Sequence, residues 1–160
     1  MQIHKAVIPA GGRGSRVRGA AGGVPKEMIP VGGRPMIAYC IEEAILAGIR
    51  EICVILSPDK ECVREYLDVH FAGGSKAQGS DALGGCKFHY AVQSEPTGLA
   101  NALALARDFV GNAPFAYMLP DEVFLGSVPA ILQVAQVAVQ IGRHTLGLQR
   151  RQRSDGHVAF

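Results

Sequence analysis

What this chain lacks narrows its chemistry before any motif is read. No apolar run approaches the length of a membrane span, and the opening residues Met1-Gln2-Ile3-His4-Lys5 carry no signal-peptide core, so a cytoplasmic protein with no membrane partner is expected. Excess positive charge is slight: a net +2 is too small for a nucleic-acid surface. Cys40, Cys53, Cys62 and Cys86 contain no Cys-x-x-Cys pair and sit among apolar neighbours. Reduced thiols, buried or half-buried, are expected, and the scattered His4, His70, His89, His144 and His157 add no ligand pattern. No metal is assigned to cysteine or histidine, and no Ser/His/Asp or Cys/His constellation is present. Charged residues make up only 19% against 48% hydrophobic, which excludes a disordered chain. A length of 160 residues fits one domain, residues 1–160, with a substantial core.

Two well-known phosphate loops are also missing. The P-loop requires a glycine, four residues and then Gly-Lys-Ser/Thr, and no such run occurs. The dinucleotide fingerprint requires a third glycine three positions after the second. Counting from Gly12 and Gly14, that place holds Val17, which disfavours a dinucleotide-dependent enzyme.

What the segment from Lys5 to Pro30 does contain is an apolar strand, Ala6-Val7-Ile8, and a glycine-rich loop, Ala10-Gly11-Gly12-Arg13-Gly14-Ser15-Arg16. Pro25-Lys26-Glu27-Met28-Ile29-Pro30 follows. Glycines after a strand let backbone N–H groups turn toward an anion with no Cβ in the way. Arg16 and Lys26 bring a planar fork and a compact point charge to the same neighbourhood. A phosphate-rich ligand is the expected occupant.

Further along, Gly32-Gly33 reads as a turn and Pro35 suits the first turn of a helix. Ile37, Ile41, Ile45 and Ile49 recur every four residues with Leu46 beside them, and Gly48 is a C-terminal stop. Glu51 to Ser57 is a continuous apolar run, as a strand buried on both faces requires. Asp59 to His70 returns to helical spacing through Cys62, Val63, Tyr66 and Leu67. Gly73 to Gly85 reads as a surface loop rather than a domain boundary. A strand is expected over Lys87 to Val92, and a helix over Gly98 to Val110 with Leu99, Leu103, Ala106 and Val110 on one side. Another strand spans Phe115 to Leu119. Ser127 and Pro129 open a helix through Ile131, Leu132, Ala135 and Val139, and His144 to Leu148 can form a fifth strand. The basic stretch Arg143 to Arg153 reads as a solvated loop or strand end.

This alternation predicts an α/β fold, a mainly parallel sheet with helices on both faces, whose ligands bind at the carboxyl ends of the strands. The glycine loop, Gln93 and Asp121 each follow directly after a predicted strand. In Gln93-Ser94-Glu95-Pro96-Thr97-Gly98-Leu99-Ala100-Asn101, a carboxamide offers one donor and one acceptor, which complements the N3–H and O4 of uracil or thymine. Gly98 permits close approach of a flat base to the backbone. Asp121, after Leu119-Pro120, is either a turn acid or a ligand for Mg²⁺, which takes one or two carboxylates plus phosphate oxygens.

Gly11-Gly12-Arg13-Gly14-Ser15-Arg16 with Pro25-Lys26-Glu27-Met28 resembles the signature of the sugar-1-phosphate nucleotidylyltransferases, and the Pro-Lys-Glu-Met form is most similar to the UTP–glucose-1-phosphate uridylyltransferases. The Gly98-Leu99-Ala100 form is closer to the glucose-1-phosphate thymidylyltransferases. The resemblance implies a Rossmann-like three-layer α/β/α fold with the C-terminal part of the family fold missing. It implies transfer of a nucleotidyl group from UTP or dTTP to a sugar 1-phosphate such as glucose 1-phosphate, with Mg²⁺ as cofactor. The glycine loop (Ala10, Gly11, Gly12, Gly14, Ser15) would wrap the nucleotide, Arg16 and Lys26 would contact its phosphates, Gln93 and Gly98 would hold the base, and Asp121 would bind the metal. The family's sugar-binding residues and second metal-binding aspartate come later in its sequences, and nothing here matches them. Asp155-Gly156-His157-Val158, similar to a segment entering the sugar site, is too short to use. A truncated non-catalytic nucleotide-binding module is the alternative, and a homo-oligomer is compatible with either.

Overall fold

The structure, a computed structural model, describes residues 3–12, 23–72, 85–95 and 97–148. Its centre is a parallel sheet of β1 (Lys5–Pro9), β4 (Glu51–Leu56), β5 (Lys87–Val92) and β6 (Phe115–Tyr117), in the order β5-β4-β1-β6. Lys5 pairs with Glu51 and with Phe115, and Glu51 in turn with Lys87, so the strands start level, while β6 ends opposite Val7 and β1 runs on to Pro9.

Successive side chains on a strand point to opposite faces, and both faces here are covered. Ala6, Ile8, Ile52, Val54 and Leu56 pack against α1 (Met36–Leu46) and α2 (Glu61–His70). Val7, Cys53 and Ile55 pack on the other side against Ala102, Ala106 and Val110 of the α3–α4 segment (Leu99–Leu105 and Arg107–Val110, joined through Ala106). Two apolar layers on one sheet explain why the Glu51 to Ser57 run does not alternate. The fold is the three-layer α/β/α arrangement.

Helix α1 starts directly after Pro35 and buries Ile37, Ile41 and Ile45. Gly48, at φ +85°, ends the turn that follows, and Ile49 enters the core. Leu46, expected beside the buried face, is 65% exposed. Gly32 and Gly33 both take positive φ and close a small hairpin of β2 (Pro30–Val31) and β3 (Arg34–Pro35), as a two-residue primed turn requires.

Four further expectations are corrected. Helix α2 turns Val63 and Leu67 inward, which leaves Cys62 exposed while the other three thiols are buried. The Gly98 to Val110 helix is broken at Ala106, and its buried stripe is Ala102, Ala106 and Val110; small residues let it sit close to the sheet, and Leu99 is exposed. Ser127 does not cap α5 (Ala130–Ile141); instead Glu43 of α1 accepts a hydrogen bond from Ile131 N at 2.8 Å. Burial raises the Glu43 carboxyl above the usual carboxylate range, and bonds from Ile131 and Ala130 oppose that rise. Finally, His144 to Leu148 forms no strand: it pairs with no strand among the described residues, and Leu146 and Leu148 stand 79% and 86% exposed. The Gly73 to Gly85 loop lies outside the described residues except for Gly85, as does everything after Leu148.

Two outcomes follow from this core. Ile41→Ala, at a site with 0% exposure, should cost about 2–5 kcal/mol in urea unfolding, whereas Leu46→Ala on the same helix should change stability by less than about 0.5 kcal/mol. Equal losses would contradict the assigned burial. Burial also raises the thiols of Cys40 and Cys86 and pushes Cys53 up to about 11, so the folded state keeps protons the unfolded chain releases. That contribution is fully present below about pH 8.5 and is lost as pH rises toward about 11, so melting midpoints should fall across this interval. A flat alkaline profile would show that these thiols ionise freely in the fold.

Candidate functional site

The carboxyl ends of β1, β5 and β6 deliver the site. Past β1, Ala10 N still donates to Ile55 O, and past β5, Gln93 N donates to Leu56 O, both at 2.8 Å. Past β6, Met118 N donates to Val7 O at 3.0 Å. The ladder therefore holds each chain to its neighbour for one residue past its strand, up to the carboxyl edge of the sheet. Above that level lies a cleft of about 580 Å³, lined by Gly11, Gly12, Lys26, Gln93, Gly98 and Asp121 with Leu99, Ala102 and Leu119 as apolar wall. Three separated sequence segments thus meet at one edge of the sheet. Ala10 is buried behind the cleft rather than lining it. Gly14, Ser15 and Arg16 lie outside the described residues.

Lys26 sits in a single 3-10 turn (Lys26–Met28) after Pro25, and its Nζ lies 2.7 Å from Asp121 Oδ2. Both side chains are partly exposed, so the pair is a weak tie that a ligand can displace. Its two members can take anions and cations respectively. The donor set fits Mg²⁺ carried in by phosphates, which needs only one or two protein carboxylates. It does not form a ready-made protein cage, since no group of three His, Cys, Asp or Glu residues able to hold a metal occurs among the described residues.

Gln93 is buried, and its Nε2 donates to Asn101 Oδ1 at 2.9 Å and Gly98 O at 3.3 Å. The two amide protons are thus spent inside the protein, leaving Oε1 with no hydrogen-bond donor among the described residues. That oxygen backs onto Gly11: a Cβ on Gly11 would lie 2.9 Å from it. Gly98 itself takes φ +105° to start α3, a conformation that favours glycine.

One pair escaped the sequence reading. Lys60, 2% exposed, donates from Nζ to Ala10 O at 2.6 Å, to Gly12 O at 2.7 Å and to both carboxylate oxygens of Glu27 at 2.9 Å. Glu27 is 0% exposed. The only available signal was Glu27's place beside Lys26; a lysine after Ser57-Pro58-Asp59 looks like any solvated helix start.

With the geometry described, comparison with known proteins becomes specific. A family model described as nucleotidyl transferase matches residues 5–156. The chain belongs to that family. It is 35% identical over 158 residues to the UTP--glucose-1-phosphate uridylyltransferase of Mycoplasma pneumoniae, covering 92% of this chain and 54% of the relative. It is 34% identical over 168 residues to UTP--glucose-1-phosphate uridylyltransferase 1 of Staphylococcus saprophyticus, covering 98% and 58%. A solved UTP-bound UGPase from Acinetobacter baumannii superposes with a TM-score of 0.73 at 26% identity, over 87% of this chain and 53% of that one. The nucleotidyl transferase chain described here therefore spans little more than half the length of these relatives.

The close approach of Gly11 to Gln93 is directly testable. Gly11→Ala sets a methyl 2.9 Å from Gln93 Oε1, so the buried carboxamide must shift against its bonds to Asn101 and Gly98, costing about 1–3 kcal/mol. Gly12→Ala, with no atom of the described residues within 4 Å of the added methyl, should cost less than about 0.5 kcal/mol. Thermal melts of the two variants decide, and indistinguishable midpoints would remove Gln93 from its place behind the loop.

Proposed function

We propose that this chain carries the nucleotide-binding half of an Mg²⁺-dependent nucleotidyltransferase that joins UTP to glucose 1-phosphate, giving a nucleotide sugar and pyrophosphate. The observation that carries the reading is the meeting of Gly11-Gly12, Lys26, Gln93-Gly98 and Asp121 at one cleft. The names of the relatives, uridylyltransferases of glucose 1-phosphate, support the choice of substrates.

In this reaction a phosphate oxygen of the sugar phosphate attacks the α-phosphorus. A new P–O bond forms as the bond to the β-phosphate oxygen breaks and pyrophosphate leaves. The nucleophile is already an anion, so the protein need supply neither a general base nor a covalent residue; its work is alignment and charge neutralisation. Lys26 would leave Asp121 to bridge phosphates near the attacked centre, and Arg16 would stabilise the departing pyrophosphate. Asp121 would hold Mg²⁺ against the phosphate oxygens, where the ion supplies further neutralisation. For the base, Gln93 Oε1 is suited to accept from N3–H, a contact that uracil and thymine both offer, so dTTP is the alternative donor. The site residues are those the family resemblance points to: Ala10, Gly11, Gly12, Gly14 and Ser15 for the nucleotide, with Gln93 and Gly98 for the base. A cytoplasmic setting accords with this chemistry, and no helix among the described residues is long and apolar enough to cross a membrane.

A second reading is a nucleotide-binding module without transfer activity, which would use the same cleft. A pyrophosphate-release assay with UTP, glucose 1-phosphate and Mg²⁺ separates the two. If transfer occurs, Lys26→Ala and Asp121→Ala should each lower turnover by at least ~100-fold, the scale of one positioned electrostatic group. Near-normal release from either variant would remove that residue from its role, and UTP binding without release would select the module.

A further inference from the structure

We infer that Lys60 is a positioning residue for anion binding: from behind the glycine loop, it fixes which way the loop's peptide dipoles point. The inference rests on the nucleotide reading and deepens it. An ammonium has three protons. Here they serve the carbonyls of Ala10 and Gly12 and the carboxylate of Glu27. Among the described residues there is no cis peptide bond, so in the planar trans peptide joining residues 10 and 11 the Gly11 N–H lies opposite the Ala10 C=O. With that carbonyl drawn down onto Lys60, the Gly11 N–H is turned to the side away from the ammonium. Gly11 and Gly12 line the cleft, and Lys60 does not. The buried cation thus withdraws the negative ends of alternate peptides and leaves a positive end for phosphate.

Glu27 completes the device. It neutralises a charge that burial would otherwise make costly, and it ties the turn bearing Lys26 to the same ammonium. Lys26 and the Gly11-Gly12 backbone, which approach the cleft from different segments, are therefore referenced to one buried atom. Lys60 touches no substrate in this account and acts through the loop.

The experiment compares the wild-type chain with the double variant Lys60→Met/Glu27→Met, which keeps side-chain bulk and leaves no unpaired buried charge. Calorimetric titrations use UTP, inorganic tripolyphosphate and uridine. The double variant should bind UTP and tripolyphosphate at least ~10-fold more weakly, on the scale of charge-assisted contacts, while uridine affinity stays within about 2-fold. Unchanged UTP affinity, or equal losses for UTP and uridine, would overturn the inference, the second result marking a merely structural pair. Should the variant not fold, the wild type still decides: the Gly11 amide resonance must shift on adding tripolyphosphate, and an unmoved resonance overturns the inference. A wild-type chain that binds neither UTP nor tripolyphosphate would instead bring down the nucleotide reading itself.

Discussion

Burying a lysine and a glutamate together is expensive in water-free surroundings, and replacing such a pair with apolar residues is often neutral or stabilising. The Lys60–Glu27 pair is therefore poorly explained as a stabilising element alone. Its geometry suggests what it serves instead. The ammonium bonds the carbonyls of Ala10 and Gly12 and both oxygens of Glu27, joining the glycine loop after β1, the turn that carries Lys26, and the start of α2. A glycine-rich loop has the most backbone freedom to lose on ordering. Fixing it from the buried side leaves the Gly11-Gly12 backbone on the cleft lining, where a ligand can approach it.

The remaining parts of the cleft obey the same economy. Gln93 spends both amide protons on Gly98 and Asn101, so this segment is set before any ligand arrives. Lys26 and Asp121 neutralise one another at 2.7 Å across the opening. Since both are partly exposed, the pair is cheap to break, and each partner becomes available to a ligand of opposite charge. The rigid contacts are behind the cleft and the exchangeable one is at its mouth.

Much of this was legible in the sequence because it depends on local chemistry. The unbroken apolar run at Ile52 to Leu56 announces a strand covered on both faces, and Gly32-Gly33 and Gly48 mark places where the backbone needs positive φ. Strand ends place Gly11, Gln93 and Asp121 at one edge without any knowledge of contacts. What was not legible depends on pairs distant in sequence. Lys60 and Glu27 are 33 residues apart, and either one alone reads as a solvated charge. The cap of α5 comes from Glu43, 88 positions before the amide it accepts from, so Ser127 was a reasonable but wrong candidate. Cys62 and Leu46 lie within one position of buried neighbours on their helices, where periodicity leaves the face ambiguous. His144 to Leu148 has strand-like composition, but a strand also needs a neighbour, and composition cannot supply one.

The central claim is that one cleft, floored by Gly11-Gly12 and flanked by Lys26, Gln93 and Asp121, receives a nucleoside triphosphate. A crystal structure of the chain grown with UTP and Mg²⁺ tests it most directly. The account predicts the triphosphate over the Gly11-Gly12 backbone, Lys26 Nζ moved from Asp121 to a phosphate oxygen, and the base beside Gln93 and Gly98. A nucleotide bound elsewhere on the molecule, with the Lys26–Asp121 pair intact, would contradict it.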